Sequence, residues 1–376
     1  MIKTARSDMY RYSRIEVPVA IDTHTHGRWN EYAQEHIGPL ETILEAQAWW
    51  VGTCCFMPNT KPWLTTIKNV EQYTKVLEDA KLGNQYLYVW LRDDNLDQVE
   101  EALKLPNVVG IKVYPASAEG KSITTSFDND APAVIDNSVG ANTTIDKAIR
   151  LALQYDKVIS FHAESPQYWH IPTAEIAYVE YVIIPYAKKY PQAKIIVAHV
   201  SLARTAKEIE YTNDIYDTNI HMELTPHHLF FSEEDVQNDP KLKCFPPLRS
   251  KEDAEYLRGL LWQIDEKNRA WLKIMFGSDN AAHAKRNKDK PFDQASGGIP
   301  NLRDSIAIIL SLGEGQKMTY DQLVQFTSGT ASRLLNIPIS QQKVFFQKWS
   351  HIPTHTYYNG NVYNPFQDSI LHYRKV

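Results

Sequence analysis

Cysteine is scarce in this sequence, and no stretch of it stays apolar for long. The 376 residues include three cysteines, Cys54, Cys55 and Cys244, too few for a disulfide framework in a chain of this length. The N-terminal residues carry charge without the apolar core of a signal peptide, and no run approaches the length of a membrane span. These absences predict a soluble, cytoplasmic protein. We expect the adjacent Cys54 and Cys55 to point to opposite faces of a strand and to pack as small hydrophobic side chains.

Charge of a single sign is also missing, as are linkers and repeats. The formal net charge is −5, and acidic and basic residues are mixed along the chain. A protein that binds nucleic acid or a membrane surface usually concentrates positive charge on one face, so we expect neither partner. No segment rich in glycine, serine and proline divides the sequence, which predicts a single domain over residues 1–376.

What the sequence has instead is a series of short apolar runs that each end in an ionisable residue. Such runs, rich in β-branched residues, are typical of strands buried on both faces of a parallel sheet. Residues 17–26 end in His24-Thr25-His26, residues 108–111 precede Lys112, residues 158–161 precede His162, residues 195–198 precede His199, and residues 274–278 precede Asp279. Chance alone would rarely place only histidine, lysine and aspartate at these ends.

Three further runs, at residues 52–57, 86–91 and 219–225, bring the predicted strands to eight. Stretches with helical spacing lie between the strands. In one of them Leu40 and Leu44 share a face with Ile43, and Gly52 is interpreted as the stop of that helix. Eight strands alternating with helices predict an α/β protein with a (β/α)₈ TIM barrel, whose active site forms at the C-terminal ends of the strands.

The predicted barrel leaves both ends of the chain outside it. The barrel covers about residues 17–338, and residues 357–363 are typical of a hairpin around Asn359-Gly360. We expect the two terminal segments to form a small β annex that packs on the barrel.

The residues at the strand ends have the chemistry of metal ligands. Positions i and i+2 of a strand point to the same side, so His24 and His26 project together. Zinc binds imidazole nitrogen and carboxylate oxygen, and the set is large enough for two ions. We hypothesise that His24, His26 and Asp279 hold one ion and that His162 and His199 hold the other.

Lys112 fits such a site only after a chemical change. A lysine ammonium has three donors and no acceptor, so it cannot bridge two cations. Its deprotonated amine could take up carbon dioxide to form a carbamate, an anion with one oxygen for each metal. Taken alone, Lys112 would more often be a salt-bridged or snorkelling lysine. Beside four histidines and an aspartate, we favour the carbamate.

Five strings of residues resemble the binuclear amidohydrolase superfamily and, within it, the compact single-barrel type of dihydroorotase. They are His24-Thr25-His26-Gly27-Arg28, Met57-Pro58-Asn59-Thr60, Lys112-Val113-Tyr114-Pro115-Ala116, Thr225-Pro226-His227-His228-Leu229 and Ser278-Asp279-Asn280-Ala281-Ala282-His283-Ala284. The similarity extends from about Pro18 to Pro338, with a fainter match over residues 363–376.

The resemblance implies an enzyme with a defined reaction and cofactor. The reaction is the reversible hydrolysis of (S)-dihydroorotate to N-carbamoyl-L-aspartate in de novo pyrimidine (UMP) biosynthesis. The implied centre has two Zn²⁺ per chain, bridged by a hydroxide and by Lys112 modified to N6-carboxylysine. Asp279 would be both a metal ligand and the catalytic carrier of the proton that passes from water to the departing nitrogen. By resemblance alone, we also expect a homodimer.

The resemblance also implies substrate-binding roles for four residues, Arg28, Asn59, Phe245 and His283. Arg28 offers a bidentate fork to a carboxylate, and Asn59 can donate its amide to the same group. Without the resemblance, Arg28 could equally form a surface ion pair and Asn59 could cap a helix. Of the adjacent His227 and His228, the motif match selects His228, as a structural residue rather than a ligand.

Two other functions stay open from the sequence. A sister cyclic amidohydrolase, hydantoinase or allantoinase, would use the same metals, although Arg28 with Asn59 argues for a substrate that carries a ring carboxylate. A catalytically inactive scaffold would be expected to have lost ligands, and this chain keeps them all.

Several positions depart from the family pattern. Gly27 stands where relatives often have a larger apolar residue, and Ala282 replaces the proline that precedes His283. Residues 117–143 form a longer, polar loop than in compact relatives, where neighbouring threonines close over the substrate. Thr124-Thr125 is the candidate pair here. The resemblance therefore does not fix how this loop closes.

Overall fold

The computed structural model describes residues 9–11, 14–29, 37–49, 51–79, 84–116, 134, 136–166, 173–262, 273–314, 318–351, 357–360, 362–367, 369 and 371–375. Its strands are β1 (Arg14–Pro18), β2 (Ala20–Thr25), β3 (Val51–Phe56), β4 (Tyr86–Trp90), β5 (Val108–Val113), β6 (Val158–Phe161), β7 (Ile195–Val197), β8 (Ile220–Leu224), β9 (Ile274–Phe276), β10 (Lys343–His351) and β11 (Leu371–Lys375).

The helices alternate with these strands. They are α1 (Pro39–Trp49), α2 (Ile67–Asp79), α3 (Leu96–Leu103), α4 (Thr144–Gln154), α5 (Ala174–Tyr178), α6 (Ile184–Lys189), α7 (Ala203–Tyr216), α8 (Pro226–Phe230), α9 (Glu233–Asn238), α10 (Lys251–Trp262), α11 (Lys285–Lys288), α12 (Ser305–Glu314), α13 (Tyr320–Val324) and α14 (Thr330–Leu335). π-helical turns at Val179–Ile183 and Gln325–Gly329 join α5 to α6 and α13 to α14. None of the described helices is both long and apolar enough to cross a bilayer.

Strands β2 to β9 form one eight-stranded parallel sheet in chain order, which confirms the predicted (β/α)₈ barrel. Almost every residue of these strands is buried, as the short apolar runs predicted. Cys54 belongs to the cluster between the sheet and the helices, and Cys55 to the cluster inside the barrel. The prediction that these two cysteines pack on opposite faces is therefore confirmed.

The barrel closes between β9 and β2 through a seam that differs from the other strand pairs. No regular ladder joins these two strands in the described residues, and a single bridge pairs Thr25 with Asn280. The Asp279 N–H donates to the carbonyl of His24 (2.8 Å), and the His26 N–H donates to the carbonyl of Asn280 (3.0 Å). Residues from the first and last barrel strands thus meet at the same end of the sheet.

The terminal segments form the predicted annex. Strand β10 pairs antiparallel with both β1 and β11, so a three-stranded sheet joins residues from both ends of the chain. The turn at Asn359-Gly360 exists but lies outside this sheet: Gly360 has φ +83°, and one antiparallel bridge joins Tyr357 to Val362. This turn is a separate element from the annex.

The prediction for the first helix was wrong in detail. Ile43 is buried as predicted, together with Ala46, but Leu40 and Leu44 are 42% and 52% exposed, so they do not share its buried face. Gly52 does not end the helix but lies inside β3, where an added Cβ would come within 2.5 Å of a Val19 methyl carbon. Its role is to leave room for the Val19 side chain, which spacing along a helix cannot reveal.

Candidate metal centre and active site

The C-terminal ends of the first and last barrel strands bring three predicted ligands into contact. Nε2 of His24 lies 3.2 Å from Oδ1 of Asp279, and Nε2 of His26 lies 3.0 Å from the same oxygen. All three side chains are buried. Two imidazole nitrogens and a carboxylate oxygen that converge in this way are a ligand set for zinc.

The second predicted pair lies beside the first. Nδ1 of His162 is 3.0 Å from Nε2 of His199, and the ring centroids of His199 and His24 are 5.3 Å apart. Nδ1 of His199 has no hydrogen-bond partner among the described residues. The structure therefore brings the four predicted histidines and Asp279 into one cluster.

Lys112 is fully buried at this cluster. Its Nζ has no hydrogen-bond partner in the described part of the chain, and it lies 5.3 Å from the centroid of the Tyr114 ring. Burial lowers the pKa of Lys112 to about 8, although the charges of Glu223 and Asp279 act in the opposite direction. A buried amine that loses its proton this easily and lacks a partner fits a site where the amine is converted to a carbamate.

Partners outside the cluster orient the histidine rings. Nδ1 of His24 is 2.7 Å from a Glu223 carboxylate oxygen, Nδ1 of His26 is 2.7 Å from Oδ1 of Asn59, and Nε2 of His162 is 2.7 Å from a Glu164 carboxylate oxygen. Each of these bonds leaves the other ring nitrogen turned toward the cluster. Partners of this kind fix the tautomer and orientation of metal-binding histidines.

Glu223 is the most important residue that the sequence analysis missed. It is completely buried in β8, where its carboxylate accepts hydrogen bonds from the His24 ring, from the His199 backbone N–H (3.2 Å) and from the Thr23 hydroxyl (2.9 Å). Burial alone would raise its pKa, but His24 lowers the pKa below its ordinary value. The only sequence signal for Glu223 was an acidic residue at an alternate position of an apolar run.

Asp22 is a second carboxylate that sequence reasoning did not single out. It accepts hydrogen bonds from the backbone N–H of Ser278 (2.7 Å), the Ser278 hydroxyl (2.6 Å) and the backbone N–H of His24 (3.1 Å). Burial raises the pKa of Asp22 to about 7 despite these bonds. Asp22 therefore joins the strand that carries His24 to the segment that carries Asp279.

The backbone at two predicted ligands is in the left-handed region. His199 has φ +41° and Asp279 has φ +46°, values that L-residues other than glycine rarely adopt. Such conformations cost on the order of 1–3 kcal/mol each and persist where the surroundings impose them. The unfavourable backbone conformation of His199 and Asp279 supports a functional rather than a purely structural role for their side chains.

The two histidines of the fourth motif have different surroundings. His228 is bonded through both ring nitrogens, to the Thr225 hydroxyl (2.7 Å) and the Pro246 carbonyl (3.0 Å), as a structural residue would be. Nδ1 of His227 lies 2.8 Å from the amide nitrogen of Asn301, so Nε2 carries the proton and faces Asp279 at 4.0 Å. The surroundings of His228 agree with the structural role expected from the motif match, whereas the sequence analysis assigned no role to His227.

A second possible ligand group consists of His227, His228 and Cys244. Both ring nitrogens of His228 are already used in hydrogen bonds, and the Cys244 thiol donates to the Pro246 carbonyl (3.2 Å). Burial raises the pKa of Cys244 to about 12, which keeps the thiol protonated. This group is a packed structural cluster, in contrast to the cluster around Asp279.

The residues predicted to bind substrate surround the same end of the barrel. Arg28 is buried, and its charge acts on Tyr114, whose ring faces Lys112. Oδ1 of Asn59 faces the Nδ1 of His26, so its amide NH₂ is the group left to donate to a ligand. Their contacts with a substrate stay predictions.

Phe245 and His283 meet at another wall of the site. Nε2 of His283 lies 2.9 Å from the carbonyl of Gly297, and a Cβ added to Gly297 would come within 2.4 Å of the Phe245 ring. Phe245 also lines a cavity of about 480 Å³ together with Glu164, the partner of His162. The predicted loop pair Thr124-Thr125 lies outside the described residues.

Comparison with known proteins adds independent information. The sequence is 26% identical over 322 residues to a dihydroorotase from Thermococcus kodakarensis, covering 83% of this chain and 67% of the relative. It is also 26% identical over 325 residues to a dihydroorotase from Saccharomyces cerevisiae, covering 81% and 83% of the two chains. No profile of a known protein family matches the sequence.

Solved structures agree with the fold. The structure of a dihydroorotase from Saccharomyces cerevisiae, in complex with 5-fluoroorotic acid, matches with a TM-score of 0.80 and 22% identity over 96% of this chain and 98% of the other. An L-hydantoinase from Arthrobacter aurescens matches with a TM-score of 0.78 and 17% identity over 96% of this chain and 83% of the other. Both structural neighbours have this barrel architecture.

Proposed function

We infer that this chain is a dihydroorotase of the amidohydrolase superfamily, which hydrolyses the ring amide of dihydroorotate reversibly to N-carbamoyl-aspartate in pyrimidine biosynthesis. The observation that carries this function is the meeting of His24, His26 and Asp279 across the barrel seam. Beside them lies the buried amine of Lys112, for which the described part of the chain offers no hydrogen-bond partner. Relatives named dihydroorotase that align over most of the chain support the same reaction.

The cluster fits a centre of two metal ions. His24, His26 and Asp279 would hold one ion, His162 and His199 the other, and Lys112, once converted to a carbamate, would face both. Nitrogen and oxygen donors of this kind suit zinc. When bound, two such ions would make a water molecule acidic enough to act near neutral pH and would polarise the amide carbonyl.

Asp279 has the geometry of a proton carrier. Its Oδ1 faces His24 and His26, whereas Oδ2 faces the Nε2–H of His227 at 4.0 Å. Burial opposes ionisation, but His24, His199 and His227 lower the pKa of Asp279 below its ordinary value, so the carboxylate is ionised before the reaction. Oδ2 can then accept a proton from the attacking water and release it to the ring nitrogen as the amide bond breaks.

Four residues would recognise the substrate. Arg28 would pair with the ring carboxylate through two charge-assisted hydrogen bonds, and the Asn59 amide, held by His26, would donate to the same group. His283 and Phe245, which meet at Gly297, would complete the pocket. A carboxylate-binding arginine favours dihydroorotate over the uncharged rings of hydantoin and allantoin.

A substrate panel tests this function directly. The purified protein, reconstituted with zinc, should hydrolyse dihydroorotate with a kcat/KM at least about 100-fold above that for hydantoin or allantoin, because two lost charge-assisted hydrogen bonds correspond to a few kcal/mol. Chromatographic detection of each ring-opened product gives the rates. Preference for hydantoin would assign the chain to the hydantoinases, which its structural similarity to the L-hydantoinase makes the second candidate. Metal content below about one ion per chain, with no activity, would indicate an inactive scaffold.

Arg28→Met should separate recognition from water activation. Hydrogen bonds to charged groups contribute about 1.5–3 kcal/mol, and about 1.4 kcal/mol corresponds to a factor of ten. We therefore expect kcat/KM for dihydroorotate to fall at least about tenfold, with unchanged metal content by elemental analysis. Arg204→Met is the control, because Arg204 is 67% exposed and pairs with Glu180. Normal turnover of dihydroorotate by Arg28→Met would remove the carboxylate contact from the proposal.

A further inference from the structure

Lys288 is a buried lysine with an unusual set of partners. It lies at the end of the short helix α11 and is 2% exposed. Its Nζ donates hydrogen bonds to three backbone carbonyls, those of Lys243 (3.1 Å), Ser296 (3.0 Å) and Gly298 (2.9 Å). An ammonium has three donors and a carbonyl can only accept, so these partners match the charged form of the side chain.

These three carbonyls belong to two different segments of the chain. Lys243 comes shortly after α9, whereas Ser296 and Gly298 follow α11. The backbone N–H of Gly298 also donates to the carbonyl of Lys243 (2.9 Å), so the two segments touch directly at the point that Lys288 holds. We call residues 243–245 and 296–298 the paired wall.

The paired wall carries both predicted substrate contacts on this side of the site. Phe245 packs its ring against the backbone of Gly297, which has no room for a Cβ there. The Gly297 carbonyl, between two carbonyls held by Lys288, receives the Nε2–H of His283 at 2.9 Å. Gly298 has φ +139° and lies against Ala281 and His283, so this backbone has little freedom to rearrange without breaking these contacts.

Resting on the dihydroorotase function proposed above, we propose that Lys288 is a positioning residue for substrate binding, which fixes Phe245 and His283 by holding the three carbonyls of the paired wall. Lys288 does not contact the cluster around Asp279 in the described structure. It acts on the shape of the pocket rather than on water activation or proton transfer.

Lys243, the other lysine of the paired wall, cannot replace Lys288. Burial lowers the pKa of Lys288 to about 7, Lys243 acts in the same direction, and Asp239 favours the charged form. The Lys243 ammonium already donates hydrogen bonds to the carbonyls of Phe292 (2.6 Å) and Asp293 (3.2 Å). Loss of the Lys288 ammonium would therefore leave the Ser296 and Gly298 carbonyls without a donor among the described residues, whereas the Lys243 carbonyl would keep the Gly298 N–H.

Lys288→Met tests the proposal, since methionine keeps the length of the side chain and removes its donors. We expect the KM for dihydroorotate to rise at least about tenfold, as unsatisfied buried carbonyls relax the wall, while kcat changes less than about threefold and metal content stays parental. Lys285→Met is the matched control, because Lys285 is exposed on the same helix. It should leave both constants unchanged.

Lys288→Gln is a second test variant in case Lys288→Met does not fold. The glutamine amide still offers two N–H donors to the carbonyls. This variant should show a smaller rise in KM than Lys288→Met. A parental KM in folded Lys288→Met, a rise in KM for Lys288→Gln as large as that for Lys288→Met, an equal loss of kcat and metal content, or failure of both variants to fold would overturn the proposal. A parent protein that does not hydrolyse dihydroorotate would contradict the proposed function instead, and the two failures are thereby distinguished.

Discussion

Asp279→Asn should reduce the kcat for dihydroorotate by about 100-fold to 10,000-fold, the range that a positioned acid–base group contributes. Asparagine has nearly the same shape, but it cannot accept a proton from water at Oδ2 and return it to the ring nitrogen. Its remaining oxygen can still face His24 and His26, which now contact Oδ1 of Asp279 at 3.2 and 3.0 Å. We therefore expect the variant to bind dihydroorotate while failing to open the ring.

One measurement and one control variant distinguish a specific loss of catalysis from a general loss of folding. Calorimetric titration with dihydroorotate should give a Kd within about tenfold of the parental KM, since the recognition residues are untouched. Asp289→Asn is the control, because Asp289 is 56% exposed and pairs with Lys241. An Asp279→Asn enzyme that kept more than about a tenth of the parental kcat would show that another group carries the proton.

Lys112→Ala should have the second large effect, loss of both activity and metal. Substitution of residues that merely support metal ligands costs about 10–100-fold in affinity or activity, and removal of the group proposed to face both ions should cost more. Elemental analysis should find less metal per chain than in the parent. A short carboxylic acid such as propionate, supplied in excess, should restore part of the activity because it can occupy the space of the carbamate.

Lys104→Ala is the matched control for this experiment, since Lys104 is 46% exposed and precedes the same strand. Mass spectrometry under mild conditions should find one added carbon dioxide on the parent chain and none on Lys112→Ala. Parental activity in Lys112→Ala, or an unmodified amine at Lys112 in an active enzyme with two ions, would rule out the carbamate.

The barrel and the clustering of the predicted ligand residues could be predicted from the sequence because both leave local signals. A strand buried on two faces needs a continuous apolar run, and a ligand at its C-terminal end interrupts that run. His24, Lys112 and His162 are visible for this reason. The apolar pattern does not show which side of a helix faces the barrel, and Leu40 and Leu44 of α1 are exposed.

The residues that orient the ligands leave no comparable signal. Glu223 reaches His24 across 199 positions of sequence, and Asp22 reaches Ser278 across 256. Both contacts depend on the register between strands, which no spacing within a single run encodes. The difference between His227 and His228 is of the same kind, because it depends on Asn301 and Pro246 in other segments.

The seam between β9 and β2 also sets a time order for a chain that is still being synthesised. Asp279 follows His26 by 253 residues, so at about 5–20 residues per second the ribosome adds Asp279 on the order of ten to fifty seconds after His26. Throughout that interval the nascent chain has imidazoles to offer a metal ion but lacks the carboxylate that completes the group. If these residues hold an ion as proposed, firm capture would wait until the last strand reaches the first, and a loaded centre would mark a chain whose barrel has already closed.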